Sequence, residues 1–502
     1  MNAGEFRDRA LDALKRGDVQ HAIECFRESI RIEPANAGTR HELAECYWAA
    51  YEFDLALDNY EAAHGLSAST DTCVLAANKL FSIARFEESA RWLERALTIQ
   101  PRDAVLITML GEVSERDNRL DEAERCADEA LELNPQSVKA VRLRAHIDRR
   151  RGQFEMARGR LNDHLRRWTG AEDWRLRYEL AAVLDRLGEY DAAIQELLLA
   201  KEQLRSKALP CLAQANAIQQ RQIEIANLLR SSDFKSWHDE PHQRASIRIA
   251  FLCGHPRSGT TLLEQILGAH DNIVTSDETA VLAREFIEPM IRQPADAADC
   301  VTELRNLGAD QISDGRAAYL RFTEAHLGEA IGSRLIVDKD PSLTPDLPLP
   351  LRMFPEARVI FPLRDPRDVC VSYFFTLIPL APASAAALDL KSTCEFCAHS
   401  LRLWDHWKKT LPYPLMELRY EDLVTGPEVE ARRLFRFLGV PWSEQALAFH
   451  EKARSRGIRT PTYADASQPI YQRAVGRWKN YERHVKPHLG VLEPYLRSFG
   501  YP

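Results

Sequence analysis

No stretch of this 502-residue chain approaches the ~18 consecutive apolar residues of a membrane-spanning helix, so no membrane span is expected. The opening "MNAGEFRDRALDALKRGD" lacks the apolar core of a secretion signal, and the expected location is cytoplasmic. A basic excess is missing too: 66 Lys and Arg stand against 74 Asp and Glu, a net charge of −8. That balance argues against a nucleic-acid binder, which usually carries a basic domain. The ten cysteines are scattered through periodic apolar segments and do not form a disulfide framework; reduced thiols suit them better. One pair, Cys394-x-x-Cys397 followed by His399, has no second pair at zinc spacing, which favours a helical segment over a metal site. No metal is expected.

What is present begins with a repeat. The segments "GDVQHAIECFRESIRIEP", "YEFDLALDNYEAAHGL", "ARFEESARWLERALTIQP", "NRLDEAERCADEALELNP", "GQFEMARGRLNDHL" and "GEYDAAIQELLLA" share one template. Its small-residue position falls at Ala22, Ala56, Ser89, Ala123, Ala157 and Ala193, at intervals of 34, 33, 34, 34 and 36. Three residues earlier stand Val19, Phe53, Phe86, Leu120, Phe154 and Tyr190, and four later Phe26, Tyr60, Leu93, Ala127, Leu161 and Leu197. Both offsets keep to one helical face. Pro34, Pro101 and Pro135 close three of the units, where a second helix must stop. The ~34-residue period resembles the tetratricopeptide repeat family, whose arrays curve into a superhelix. That resemblance implies about six repeats over residues 4–205 and a concave face for a peptide or protein partner, a spacer or dimerisation arm being the plainer reading. From residue 206 the period is lost, and 206–246 reads as a connecting helix and polar linker.

The remaining chain, 247–502, is built differently. "IRIAFLCG" is a short apolar run ended by glycine, and "TTLLEQILGAH" takes up helical spacing. Between them "GHPRSGTT" has the glycine spacing of a phosphate-binding loop, Gly254 and Gly259, with Thr260 where the ATP-binding version needs lysine and Thr261 at the hydroxyl position. In strand–loop–helix context, amides and the helix dipole favour an anion. Ser258, Thr260 and Thr261 add hydroxyls and Arg257 a cation. "RLIVDKDP", "ARVIFPLRDPRD" and "MELRYEDLV" read as further strands ending in charge, as at a ligand crevice. The expected fold is an N-terminal all-α repeat solenoid followed by a C-terminal α/β P-loop-like domain with a central, mostly parallel sheet.

The ordered motifs "PRSGTTLLEQILGAH…SDET", "DKDP", "VIFPLRDPRDVCVSYF", "YEDLV", "LFRFLGVPW" and "QPIY…GRWKNY" resemble those of sulfotransferases, most of all the protein-tyrosine sulfotransferases and bacterial fusions with tetratricopeptide repeats. The resemblance implies 3′-phosphoadenylyl sulfate (PAPS) as sulfuryl donor, its desulfated form PAP as product, and no metal. It places Arg257, Ser258, Gly259, Thr260 and Thr261 around the 5′-phosphosulfate, and Arg364 with Ser372 on the 3′-phosphate. Tyr420 and Arg477 would contact the nucleotide. Glu278 would be the general base, with Asp277 or a helix-capping role as the alternatives. Lys339 would stabilise charge developing in transfer, unless it serves only to pair Asp338 or Asp340, and Thr462 would support the transition state. For Arg364 the plainer alternative is an ion-pair cluster in "RDPRD". Ala280 and Thr376 stand where the tyrosine enzymes carry arginine, which leaves the acceptor open: a protein tyrosine, or a small molecule, lipid or saccharide. Two other classes compete, a non-enzymatic repeat scaffold and a nucleoside-triphosphate kinase. The second is disfavoured by Thr260.

Overall fold

A computed structural model describes all residues except Thr169, 241–246, Asp277, 293–295, 378–379 and 451–468. The chain divides into two compact units, Met1–Ile147 with Glu324–Glu329, and Asp148–Thr323 with Ala330–Pro502.

The first unit is helical. Ala3–Lys15 and Val19–Ile32, Ala37–Ala49 and Phe53–Leu66, Thr70–Ser82 and Phe86–Ile99, and Ala104–Arg116 and Leu120–Leu133 form four successive packed pairs. The period in the sequence is a period of burial. Ala22, Ala56, Ser89 and Ala123 are all fully buried, and so are Phe26, Tyr60, Leu93 and Ala127 four residues on. The one polar member is satisfied, because the Ser89 hydroxyl donates to the Ala77 carbonyl at 2.8 Å. Asp18, Asn36, Ser69 and Asp103 each cap a helix by accepting from a backbone N–H of its first turn, which satisfies donors that would otherwise be orphaned.

The second unit contains the continuation of the repeat, through Phe154–Arg167 and Asp173–Leu187 to Tyr190–Leu228. Ala157, Leu161, Ala193 and Leu197 occupy the same fully buried template positions. The last helix does not stop at 205, where the sequence period ends; it runs unbroken for 39 residues. Only the packing partner changes, so the helix outlasts the repeat. Ala181, Ile194, Leu197 and Ala200 of this final pair share one apolar core with Val371, Phe374, Tyr481 and Val485. Lys201 is buried in the same place, donating to the Tyr178 hydroxyl at 3.1 Å and to the Ala387 carbonyl, with its ammonium 3.9 Å from the Phe374 ring. Burial pulls its pKa down to about 7.

Five strands form the sheet: β1 Ile249–Leu252, β2 Ile273–Thr275, β3 Leu335–Lys339, β4 Arg358–Leu363 and β5 Leu415–Arg419. Their order is β2-β3-β1-β4-β5, and every pairing is parallel. The central β1 and β3 are buried along their whole length, as a sheet covered on both faces requires. Two differences from the sequence reading are local. β2 was not foreseen, because three residues are too few to show alternation. In "MELRYEDLV" the strand ends at Arg419 and Tyr420–Thr425 is helical. Among the described residues, no helix is long and apolar enough to cross a membrane.

A buried relay ties the long helix to the sheet domain. Gln222 donates to both carboxylate oxygens of Asp346 at 2.9 and 3.1 Å and meets His399 Nε2 at 2.9 Å. Burial, reinforced by Arg402, pulls the His399 pKa from its ordinary 6.5 down to about 4. The folded state therefore binds fewer protons here than the unfolded chain between those two values, and stability drains away as pH falls through that window. His399→Gln removes this contribution. Urea unfolding at pH 7 and near pH 4.5 should show the variant gaining on the native chain at the lower pH, by up to about 3 kcal/mol.

Candidate active site

β1 lies at the centre of the sheet, with later strands added on both sides, so the loop leaving its C-terminus opens at the switch point where α/β sheets bind ligands. That loop, residues 253–259, is held by backbone geometry first. Gly254 has φ +140°, Arg257 φ +78° and Gly259 φ +106°, and the helix Thr260–Gly268 starts from Gly259 as its N-cap. Thr344 pins the loop from below, accepting from the Gly254 amide at 2.9 Å and donating to its carbonyl at 2.7 Å. At Gly259 there is no room for a side chain: a Cβ would sit 2.7 Å from Cδ2 of Tyr420.

Several residues expected to face a nucleotide meet at this loop. The Tyr420 ring lies against Gly259 and under the Arg364 guanidinium, 4.7 Å from its centroid. Arg364 donates to the carbonyls of Arg257 at 2.9 Å and Ala474 at 2.6 Å. Arg257 Nε donates to the Ser372 hydroxyl at 3.0 Å. In "RDPRD", where the plainer reading expects an Arg364–Asp365 or Arg367–Asp368 pair, the ion pair is Arg367 with Asp365 at 2.7 Å, with Trp478 stacked on Arg367 at 4.1 Å. Asp368 accepts from the Gly476 and Trp478 amides, both at 2.7 Å. Arg364 is left facing the loop.

Arg257, Thr260, Thr261, Arg364, Ser372, Tyr420 and Arg477 line one cleft of about 400 Å³. Its charged lining among the described residues is six arginines, at 149, 186, 257, 364, 473 and 477, and one acid, Asp185. The Ser258 hydroxyl in the loop and Nε of Arg364, just past β4, are buried with no hydrogen-bond partner among the described residues. Buried polar atoms in native proteins rarely stay unsatisfied, and an anionic ligand in the cleft supplies acceptors of the right kind.

A second cluster forms at the ends of β2 and β3. Because Thr275 pairs with Val337, the residues just past β2 meet the end of β3. The buried Ser276 hydroxyl accepts from the Lys339 amide at 2.9 Å and contacts Asp338 Oδ1 at 3.3 Å. Asp338 also accepts from the Tyr319 hydroxyl at 2.7 Å, and burial pushes its carboxyl above the ordinary range. The turn brings Glu278 onto Lys339, Oε1 to Nζ 2.5 Å. Glu278 has φ +56° and Ala280 φ +57°, a left-handed backbone that non-glycine residues seldom adopt and that concentrates at functional sites. Helix begins only at Val281, so Glu278 is not its cap.

Lys339 has a second carboxylate. Glu264, one turn into the loop helix, lies 2.9 Å from its ammonium, and both side chains are 0% exposed, against 32% for Glu278. The lysine is thus paired with a buried acid and shared with a half-exposed one, and its charge is also felt by Asp338 and Asp340. Glu264 and Thr344 were missed from sequence. Glu264 occupies an ordinary position in an amphipathic helix, and its only signal was a charge on the buried face. Glu278 and Lys339 are not part of the arginine cleft lining; Glu264 links the two places through a single helical turn. Thr462 and Asp277 lie outside the described residues. The Thr376 hydroxyl donates to the Ser372 carbonyl at 2.8 Å. Cys394 and Cys397 are buried on the helix Leu390–Thr410, and together with burial they push the neighbouring Cys370 thiol well up.

Residues 250–444 match the model of the sulfotransferase family. An uncharacterized protein of Aquifex aeolicus (strain VF5) is 26% identical over 332 residues, 65% of this chain and 42% of that protein. This chain therefore spans less than half the length of that relative. Protein-tyrosine sulfotransferase 1 of Danio rerio is 25% identical over 266 residues, covering 50% of this chain and 72% of the relative. Protein-tyrosine sulfotransferase A of Caenorhabditis elegans is 25% identical over 268 residues, 52% and 69% respectively.

Two substitutions test the packing described above. Gly259→Ala should cost about 1–3 kcal/mol in urea unfolding, through the Tyr420 clash and the left-handed backbone, and Tyr420→Ala should recover the steric share. Lys339→Met leaves Glu264 buried without its counter-charge and should cost about 3–5 kcal/mol; the same unfolding measurement checks it.

Proposed function

We propose that this chain, tetratricopeptide repeats joined to a sulfotransferase-family domain, transfers a sulfuryl group from PAPS to a hydroxyl acceptor, with a tyrosine of a peptide or protein recruited by the repeats as the acceptor of first choice. The observation that carries the reading is the glycine-rich loop, without the lysine of ATP sites, opening on a cleft lined by six arginines and one aspartate. A cytoplasmic location belongs to the same reading.

PAPS, when bound, supplies the sulfuryl group and a phosphate leaving group. The chain binds it through the loop amides, the hydroxyls of Ser258, Thr260 and Thr261, and the guanidinium groups of Arg257 and Arg364. Forked arginine hydrogen bonds to phosphate are strong and directional. Tyr420 keeps Arg364 in place from beneath. Glu278 accepts the proton of the acceptor hydroxyl as that oxygen attacks, a general-base role open to a half-exposed carboxylate. When Glu278 turns from Lys339 to the acceptor, Lys339 keeps Glu264. The ammonium stays paired and fixed, so it can stabilise negative charge that develops only in the transition state.

A second reading, in which the acceptor is a small molecule, lipid or saccharide, is favoured by one observation. Neither Ala280 nor Thr376 offers a cation, and the Thr376 hydroxyl is already bonded to Ser372. The experiment is transfer of label from PAPS to tyrosine peptides, simple phenols and saccharides. Glu278→Gln should lower kcat about 10²–10⁴-fold while PAP still binds. Failure of the native chain both to transfer label and to bind PAP or PAPS would return the protein to a scaffold role.

A further inference from the structure

The arginine cleft is not closed by the sheet domain alone. Arg149, Ala182, Asp185, Arg186 and Tyr190 line it together with the loop residues, and all five belong to the repeat helices Val138–Arg150, Asp173–Leu187 and Tyr190–Leu228. The contact is chemically specific. Asp185 Oδ1 accepts from Arg477 Nη2 at 2.9 Å and Nε at 3.2 Å, and from the Tyr481 hydroxyl at 2.5 Å. Arg477 is sandwiched in turn, its guanidinium 4.6 Å from the Phe375 ring. The side chains of Asp185 and Arg477 are 15% and 20% exposed, so the pair is largely shielded from solvent and from salt screening.

Arg186 is the next residue on the same helix and behaves differently. It is exposed, stands on the Phe154 ring at 4.8 Å, and lines the same cleft as the loop residues. A guanidinium supported on an aromatic face keeps its donor edge outward. The last repeat thus presents one arginine to the cleft directly and orients another through its aspartate.

We propose that the final repeat is a working wall of the nucleotide site: Arg186 binds a phosphate group of the donor, and Asp185 is the positioning residue that aims Arg477 at the same ligand. The proposal rests on the donor reading above. It goes beyond it in assigning part of donor affinity to the repeat array and not to the sulfotransferase domain.

The test is calorimetric titration of the full chain with adenosine 3′,5′-bisphosphate at two salt concentrations, with Arg364→Ala for comparison. Arg186→Ala should weaken binding roughly ten-fold or more, the effect of losing one charge-assisted contact, and should flatten the salt dependence; Arg186→Lys should recover part of it. The nucleotide-free melting temperature of each Arg186 variant, measured alongside, separates lost stacking on Phe154 from lost binding. Asp185→Asn retains an acceptor for Tyr481 but loses the charge, and should weaken binding several-fold. The nucleotide-induced rise in melting temperature, read beside the nucleotide-free melt, separates this from a general loss of stability. Native affinity in Arg186→Ala and Asp185→Asn, with Arg364→Ala impaired, overturns the proposal and leaves the donor reading standing. A native chain that binds no adenosine 3′,5′-bisphosphate overturns both.

Discussion

A fully buried ammonium is the constraint around which the sheet domain is organised. Lys339 ends the strand β3 with no exposed surface, and a charge in that position is tolerated only when it is paired. Its partners come from two directions, Glu264 from the loop helix and Glu278 from the turn after β2. Each partner sets a register. Glu264 fixes how the phosphate-loop helix lies over the sheet, and Glu278 draws a left-handed turn into place beside it. The geometry of the loop and that of the proposed base are therefore not independent features but two consequences of neutralising one lysine.

The cleft follows a similar economy. Many of its cations are already engaged with the protein: Arg364 with two carbonyls, Arg257 with Ser372, Arg477 with Asp185. These contacts hold like charges close together within the fold itself, which is the preorganisation that a multiply charged anion would require. The residues that do not follow this rule, the Ser258 hydroxyl and Arg364 Nε, are where a ligand has the most to add.

Much of this was legible in the sequence because it is periodic or punctuated. The repeat could be read since one small residue per turn-pair must vanish into the core, and Ala22 through Ala193 all do so. The loop could be read because only glycine suits Gly254 and Gly259. What stayed hidden was of another kind. β2 is too short to alternate, Glu264 looks like any charge on a helix, and Asp185 meets Arg477 across 292 positions of chain. Pairings of that reach leave no local pattern. The pairing of Asp365 with Arg367, two residues on, was not among the pairs expected in "RDPRD".

The 39-residue helix Tyr190–Leu228 bears on how such a chain can change its length over evolutionary time. At ~1.5 Å per residue it is a rod of roughly 60 Å, serving as the last repeat at one end and a support for the sheet domain at the other. The helix Asp173–Leu187 packs on it and bonds to it through Tyr178 and Arg177, so a ~34-residue module can be duplicated or lost without disturbing the rod only ahead of that helix. The last module shares one apolar core with the sheet domain and is therefore inherited with it as one piece.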